Sequence, residues 1–405
     1  MTTDNTTPNE STAKFRLNSL QLSGFKSIAA TGQHLDFGDV TVLLGANGCG
    51  KSNLISFFKM LNHIFHDNLP SYVGKQGGTD ALLFYGSAIT DKIDFVLNFS
   101  QRQADAPAFS IEYQASLQFG MPDRLFFARE AILRGSQGYP PLDISVLHSG
   151  NSTSAIFNPS NDVRVLDAFA SINTYQFHDT SDTAKIKRNS FKDDAHYLRE
   201  DAANLAAFLR VMKETPSKQA YYQRIVRHIQ HVMPQFGDFD LQLLADNNNY
   251  VRLNWREKGG DYLFGAHQIS DGSLRFMALA TLLLQPPDTL PSVIVLDEPE
   301  LGLHPAAIAE LAAMIRTASR YSQLIIATQS TRLVDEFGCD NLVIVERDEA
   351  QKCSVFKRLD QEKLAEWLQN YSLSELWEKN VLGGRPWAAF IYTSLPKAKP
   401  NNNLY

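Results

Sequence analysis

Apolar runs and helical apolar spacings alternate along most of this chain. Phe15 to Ser23 and Asp39 to Leu44 are typical of strands, and Lys51 to Phe65 has the apolar spacing of a helix. Two further segments, Lys92 to Phe99 and Ala108 to Phe119, alternate apolar and polar residues, which predicts antiparallel strands with one exposed face. The first part of the chain is therefore predicted to join a strand, turn and helix to an antiparallel sheet.

Near-continuous apolar strands separated by helices characterise the later part of the chain. The predicted elements are strand Tyr250 to Trp255, helix Leu274 to Leu284, strand Val293 to Leu296, helix Pro305 to Thr317, strand Leu324 to Ala327 and strand Asn341 to Val345. Strands that are apolar on both faces belong inside a mostly parallel sheet covered by helices. The chain is therefore predicted to have an α/β fold.

The middle third, from about residue 121 to 234, lacks this regularity. It ends in two predicted helices, Ala195 to Val211 and Lys218 to Val232, with a proline between them at Pro216. We expect an inserted, largely helical subdomain over 121–234. This subdomain must be compact and cannot be a long coiled-coil arm, because no sustained heptad repeat is present.

Four divisions of the chain follow from these patterns. Residues 14–120 and 235–346 are expected to form one head domain, and 347–405 a C-terminal extension. Residues 1–13 are mostly Thr, Asn and Ser with almost nothing apolar, so a disordered tail is expected there.

Composition narrows the class of protein. With 405 residues, of which 44% are hydrophobic, the chain can bury a large core, which excludes disorder over most of it. The formal charge of −6 means that a polyanion must be held by a local basic face. The odd number of cysteines, three, fits a reducing compartment, and there is neither an apolar run of membrane length nor a signal pattern. A cytoplasmic protein without a membrane partner is expected.

The segment Gly45 to Ser52 matches the phosphate-loop pattern GxxxxGK[ST], between a predicted strand and a predicted helix. In this pattern Lys51 reaches the β and γ oxygens of a nucleotide, and Ser52 ligates Mg²⁺. Cys49 is either a small loop residue or a thiol whose modification would disturb nucleotide binding. The residues expected to contact ATP are Asn47, Gly48, Cys49, Gly50, Lys51, Ser52 and Asn53.

Two adjacent carboxylates follow the apolar strand Val293 to Leu296. Asp297 is placed to bind Mg²⁺, and Glu298 is placed to polarise an attacking water. A single carboxylate here could cap the next helix, but a pair downstream of a phosphate loop indicates an ATPase site. ATP and Mg²⁺ are therefore the expected cofactors, with Glu298 catalytic.

The order of motifs carries a family resemblance. Between the two motifs above lies Ser270-Asp271-Gly272-Ser273-Leu274-Arg275, and Asp297 opens Asp-Glu-Pro-Glu-Leu-Gly-Leu-His-Pro. This order resembles the ABC-type ATPase heads of the SMC and RecF class and, more closely, bacterial predicted ATPases related to the OLD family, several of which serve in antiphage defence. The segments Leu20 to Ile28 and Tyr175 to Ser181 also resemble parts of those heads.

The resemblance implies a composite site. In such heads the signature turn faces the nucleotide of a second subunit, so Ser270 and Gly272 would contact the γ-phosphate held by Lys51 of a partner copy. It implies a homodimer or a higher even assembly. His304 is either a contact across that interface or the cap of the following helix.

One position departs from the resembling families. A histidine that touches the γ-phosphate usually ends the strand Leu324 to Ala327, whereas this chain has Gln329. Glutamine donates a hydrogen bond but carries no proton through a reaction. The expectation is that Gln329 makes hydrolysis slow, and the alternative is that it is a neutral replacement.

The expected function follows from what the motifs include and omit. Only 76 residues (405 − 329) follow Gln329, too few for the nuclease domain of OLD-family proteins. We therefore expect an ATPase subunit that controls a separate effector, a nuclease or a toxin, in antiphage defence. The alternatives are a RecF-like repair ATPase that acts on DNA without an effector, and a nucleotide-binding scaffold without turnover.

A basic stretch in the middle third suggests a further partner. Between Lys185 and Arg227, ten Lys or Arg residues face five acids. Such a local excess fits nucleic acid or an acidic protein, with Tyr221 and Tyr222 available to stack. Solvated helix faces explain it equally well. Nearby, His178 and Asp179 fit a structural hydrogen-bonded pair better than a metal site.

Overall fold

A computed structural model describes residues 14–101, 109–136, 143–147, 150–154, 156, 166, 168–169 and 171–383. The expected tail over 1–13 and the last residues of the expected C-terminal extension lie outside these residues.

Six strands form an antiparallel sheet in the order β2-β1-β4-β5-β6-β7. They are β1 (Phe15–Ser23), β2 (Gln33–Asp36), β4 (Lys92–Gln101), β5 (Phe109–Gly120), β6 (Arg124–Ser136) and β7 (Asp143–Leu147). The buried positions of β4 alternate with half-buried ones, as the alternating sequence pattern predicts.

A second six-stranded sheet has the order β17-β16-β3-β15-β14-β8. Its strands are β3 (Val40–Leu44), β8 (Ile172–Tyr175), β14 (Val293–Asp297), β15 (Gln323–Thr328), β16 (Leu342–Asp348) and β17 (Cys353–Arg358). All neighbours pair in parallel except β16 and β17. The predicted α/β fold, with a mostly parallel sheet and an antiparallel lobe, is confirmed.

Helices connect and cover the strands. They are α1 (Lys51–Ile64), α2 (Leu69–Lys75), α3 (Leu205–Glu214), α4 (Gln219–Val232), α5 (Asp271–Leu284), α6 (Pro305–Ala318), α7 (Thr331–Val334), α8 (Gln361–Leu368) and α9 (Leu373–Glu378). Short strands complete the described chain: β9 (Ser190–Phe191), β10 (Phe236–Asp240), β11 (Tyr250–Val251), β12 (Asn254–Glu257) and β13 (Leu263–Gly265). None of the described helices has the length and apolarity needed to cross a bilayer.

The parallel sheet separates two hydrophobic cores. Along β14, Val293 and Val295 face the core shared with α1 and the antiparallel sheet, whereas Ile294 and Leu296 face the core shared with α3 to α6. Alternate side chains of a strand point to opposite faces, so a strand buried on both sides is apolar throughout. The helix α1, which follows the phosphate loop, is therefore held between the two sheets.

The middle third differs from the expected helical insertion over 121–234. β6 and β7 extend the antiparallel sheet beyond β5, and β8 forms the edge of the parallel sheet beside β14. The longer helices of this region, α3 and α4, lie between residues 205 and 232. Local periodicity does not reveal pairing with strands that are distant in sequence, which explains the difference.

The helix α3 begins at Leu205 rather than at Ala195 as predicted. The fully buried side chain of Asn204 closes the preceding loop. Its amide donates to the carbonyl oxygen of Asp194 at 2.9 Å, and its oxygen accepts from the backbone N–H of Arg199 at 2.9 Å. Such side-chain to backbone bonds compete with helical ones, so the helix starts only after this loop.

Two other segments depart from their predicted form. The predicted strand over 250–255 is interrupted: β11 pairs with β9, whereas β12 belongs to a separate three-stranded sheet with β10 and β13. In the expected C-terminal extension, β17 is an edge strand of the main sheet. Neither pairing is encoded in local sequence.

Candidate nucleotide-binding site

The predicted phosphate loop joins the end of β3 to the start of α1. Gly48 and Gly50 have positive φ angles of 80° and 114°, a region of the backbone that favours glycine. Lys51 is buried, and its Nζ donates to the carbonyl oxygens of Gly45 at 2.6 Å and Ala46 at 3.1 Å. The amine is therefore held at the inner side of the loop, while Ser52 is exposed at the first turn of α1.

Residues outside the motif support this loop. The hydroxyl of Ser354, on β17, donates to the carbonyl oxygen of Cys49 at 2.6 Å, and its oxygen lies 2.7 Å from the hydroxyl oxygen of Ser27. The amide of Asn53 donates to the same Ser27 oxygen at 2.7 Å. A Cβ at Gly50 would lie 1.9 Å from the Ser354 oxygen, so only glycine fits there.

Cys49 is a buried loop residue. Burial raises the pKa of its thiol, an effect that outweighs the nearby Lys51. Oxidation and alkylation require the thiolate. Of the two interpretations of Cys49 given by the sequence, the geometry favours the small structural residue.

The two carboxylates lie at the same edge of the sheet as the phosphate loop, because β3, β15 and β14 run parallel. Asp297 is buried, and burial raises its pKa although His178, Lys59 and Lys51 oppose the shift. A carboxylate that has lost solvent gains most from a divalent metal ion, for which its oxygens are the preferred ligands. Glu298 is half-buried with a φ of 42°, and its N–H donates to the carbonyl oxygen of Ala327 at 2.8 Å.

A polar cluster beside Asp297 was not identified from the sequence. Gln176 follows β8; its amide donates to Asp297 Oδ2 at 3.4 Å, and its oxygen accepts from Lys59 Nζ at 2.8 Å. His178 Nε2 lies 2.8 Å from the carbonyl oxygen of Asp297. The signal for this role is a glutamine that follows the strand beside the carboxylate strand. The sequence alone does not show which strands are neighbours, so the signal can be recognised only in the folded sheet.

The expected pair of His178 and Asp179 is wrong as a pair, because each has different partners. The ring of His178 contacts the amide of Gln176 at 3.2 Å and the backbone of Asp297. The carboxylate of Asp179 accepts from the N–H and the hydroxyl of Ser181, which lower its pKa. His178 therefore belongs to the surroundings of Asp297, and Asp179 to a local turn.

The signature turn begins α5. Ser270 is the N-cap, and its hydroxyl oxygen accepts from the backbone N–H of Ser273 at 3.3 Å while remaining exposed. Gly272 packs on the loop after Glu298, since a Cβ there would lie 2.4 Å from the carbonyl oxygen of Gly302. The turn and that loop are thus in direct backbone contact.

Arg275 fixes this contact from the next turn of α5. Its guanidinium donates to the carbonyl oxygen of Leu301 at 2.9 Å and to those of Phe177 and His178 at 3.2 and 2.8 Å. Five donors in a rigid plane allow one arginine to hold several carbonyl groups. Arg275 therefore joins three segments of the same chain: the signature turn, the loop after β14 and the segment after β8.

The loop between β14 and α6, residues 298–304, is here called the carboxylate loop, and it is also tied to the end of β15. The hydroxyl of Thr328 donates to the buried Glu300, and its oxygen accepts from the N–H of Ser330 at 2.9 Å. These bonds hold the residue between them, the half-buried Gln329. His304 caps α6 by accepting from the N–H of Ala306 at 3.3 Å, which agrees with one of its two predicted roles.

Acidic partners neutralise much of the basic stretch. Five of its ten cations form ion pairs: Lys185, Lys187, Arg199, Arg210 and Lys213. Tyr222 is fully buried and donates to Asp238 at 2.5 Å. The prediction that Tyr222 is available to stack on bases is wrong, because its ring faces the core.

The fold and the arrangement of motifs define an ATPase domain, and residues 40–335 match the family described as "AAA domain, putative AbiEii toxin, Type IV TA system". The chain belongs to this family. No curated protein sequence matches it.

Solved structures with this fold include several SMC heads. One is an SMC head bound to the C-terminal winged-helix domain of ScpA, with a TM-score of 0.57, 17% identity and coverage of 86% of this chain and 99% of that one. The head from Pyrococcus furiosus bound to the C-terminal domain of ScpA has a TM-score of 0.56 and 15% identity, with coverage of 88% of this chain and 99% of that one. The head from Pyrococcus yayanosii has a TM-score of 0.54 and 12% identity, with coverage of 88% of this chain and 99% of that one.

Proposed function

We propose that the chain is an Mg²⁺- and ATP-dependent ATPase subunit that pairs with a second copy around two ATP molecules. One observation carries this proposal: the exposed Ser270 begins a helix N-terminus, and within the described residues its hydroxyl makes hydrogen bonds to Ser273 of its own turn. A helix N-terminus of this kind binds anions well. Since Gly272 and Arg275 fix the turn on the carboxylate loop, it is presented outward as a rigid unit.

The residues of the site fit a magnesium nucleotide. The glycine cradle has no room for a Cβ at Gly50, and Lys51 is positioned to exchange its carbonyl partners for phosphate oxygens. Ser52 and Asp297 would hold Mg²⁺, which withdraws charge from the phosphates when it is bound. Glu298 would orient and deprotonate the attacking water.

We propose that Gln176 links the metal ligand Asp297 to the rest of the segment that follows β8. Its amide nitrogen contacts Asp297, and its backbone continues toward the carbonyl groups held by Arg275. A shift of Asp297 on metal binding would therefore be transmitted to the signature turn. Gln329 would face the γ-phosphate without a transferable proton, so hydrolysis would be slow.

The composite site is tested by mixing two inactive variants. Lys51→Ala removes the phosphate contact but keeps the signature turn, and Ser270→Arg does the reverse. If the site forms between copies, an equal mixture contains mixed pairs with one intact site, and phosphate release recovers to about a quarter of wild type. Each variant alone should be inactive.

Ser372→Arg is the matched control, since Ser372 caps α9 in the same way and lies outside the site. It should retain wild-type turnover, which separates loss of a cap from loss of the signature contact. Two results would reject the proposal. One is normal ATP hydrolysis by the Ser270→Arg variant alone. The other is an inactive mixture when both variants are folded and the Ser270→Arg variant binds ATP.

We further propose that the nucleotide state of the pair controls a separate effector, a nuclease or a toxin, in antiphage defence. The family description names a toxin of a toxin–antitoxin system, and solved heads of this fold bind a domain of another protein. The RecF-like alternative has less support, because the basic stretch is half neutralised by ion pairs. DNA binding by the purified chain at about 50 and 200 mM salt distinguishes them: steeply salt-dependent binding favours the alternative.

A further inference from the structure

Two histidines and a glutamate meet between α4 and α6, away from the nucleotide site. His228 and His231 are three residues apart on α4, so they share one face of the helix. Glu310 lies opposite on α6. Its Oε1 is 2.6 Å from His228 Nδ1 and 3.1 Å from His231 Nδ1.

The contact of His228 is not an ordinary hydrogen bond. Its Nδ1 is buried from solvent and makes no hydrogen bond within the described residues, although Glu310 is 2.6 Å away. A metal ion bound to both atoms would give the buried Nδ1 a partner.

We propose that His228, His231 and Glu310 form a binding site for a late first-row divalent metal ion, with Zn²⁺ as the representative. The three ligand atoms all lie within 4.8 Å of one another. Ligands of a tetrahedral zinc ion are about 3.3 Å apart, so small side-chain rotations suffice. Two imidazoles favour Zn²⁺, Co²⁺ or Ni²⁺ over Mg²⁺, which separates this site from that of the nucleotide.

The surroundings define the character of the site. His231 is largely exposed, with 67% of its side chain accessible, which leaves a fourth position for water. Arg224 lies one turn earlier on α4, and its guanidinium lies over the ring of Tyr221.

The metal ion would fasten α4 to α6. Because α6 begins at Pro305, directly after the loop that carries Glu298 and Glu300, the clamp would join the helical part of the middle third to the carboxylate loop. Metal binding would therefore stabilise the folded chain and restrain the element that follows the catalytic carboxylate. This role requires no bound nucleotide.

Metal binding is measured on the untagged, chelator-treated full chain. Titration with Co²⁺ should give visible absorption typical of four-coordination, saturating at one equivalent, and Zn²⁺ should displace it. Zn²⁺ at about 50 µM should raise the melting temperature by several degrees, whereas Mg²⁺ in its place should not. Both readouts are made without ATP.

The variants His228→Ala and Glu310→Gln should each weaken metal affinity by at least about tenfold. His196→Ala, at an exposed histidine away from this cluster, is the matched control and should bind metal as wild type does. Circular dichroism establishes that each variant is folded. The absence of a one-equivalent Co²⁺ spectrum in wild type, or equal affinity in the folded Glu310→Gln chain, would overturn the proposal without affecting the ATPase proposal.

Discussion

The hydroxyl of Thr328 donates a hydrogen bond to the buried carboxyl of Glu300. Thr328 ends β15 and Glu300 lies three residues after Asp297, so this bond links the carboxylate loop to the strand end that carries Gln329. Two segments of the candidate nucleotide-binding site are thereby connected inside one chain.

Glu300 makes stability depend on pH. Burial raises its pKa, an effect larger than the opposing hydrogen bonds from Thr328 and the backbone. A carboxyl whose pKa is raised by folding holds its proton more tightly in the folded state, so stability falls as pH rises above the ordinary value of 4.5. In Glu300→Gln this contribution is absent. Thermal melts from about pH 4.5 to 7.5 should show the wild type losing stability relative to the variant.

Glu349→Gln, at an exposed glutamate, is the control for removing one negative charge and should follow the wild-type pH profile. If wild type and Glu300→Gln have the same pH dependence, the ionisation of Glu300 is not coupled to folding. That result would contradict the argument from burial.

Gly272→Ala tests the contact between the signature turn and the carboxylate loop. Its Cβ would lie 2.4 Å from the carbonyl oxygen of Gly302, so the loop must shift, at a cost of about 1–3 kcal/mol. Urea unfolding measures the loss. Gly260→Ala, where the nearest atom is 3.6 Å away, should change stability little. If both variants have the same free energy of unfolding, the loop shifts without a measurable cost.

Gln329→His tests the explanation for slow hydrolysis. A histidine at this position can hold a proton and a charge that glutamine cannot, so turnover should rise by up to about 10²-fold while ATP affinity changes little. Single-turnover phosphate release is the measurement. Gln369→His, at an exposed position after α8, should have no effect. No gain in Gln329→His would mean that the glutamine is a neutral replacement.

Glu298→Gln should trap ATP in a stable pair. The amide cannot deprotonate water, while Lys51 and Ser270 still bind the phosphates, so the closed assembly persists. Light scattering after size-exclusion chromatography should give twice the chain mass with ATP and one chain mass without it. Adding Lys51→Ala to the same chain should abolish the increase in mass. If Glu298→Gln itself stays a monomer in ATP, the proposed pairing around ATP is contradicted.

The sequence predicted those parts of the structure that depend on local order. The phosphate loop, the carboxylates and the apolar strands are each specified by a few consecutive residues, and the fold class follows from their order. The roles of Gln176 and Glu300 depend on which strands are neighbours in the sheet, and glutamine and glutamate are too common to reveal that. Tyr222 was misassigned because helical periodicity alone did not show which face of α4 meets the core.

The support of Cys49 by Ser354 has a consequence for the order of events during synthesis. These residues are 305 positions apart in the chain, so the phosphate loop leaves the ribosome long before the strand that props it. A nascent chain carries the complete motif without the backing of β17. Competence to hold a triphosphate firmly is therefore acquired only after translation has passed that edge strand.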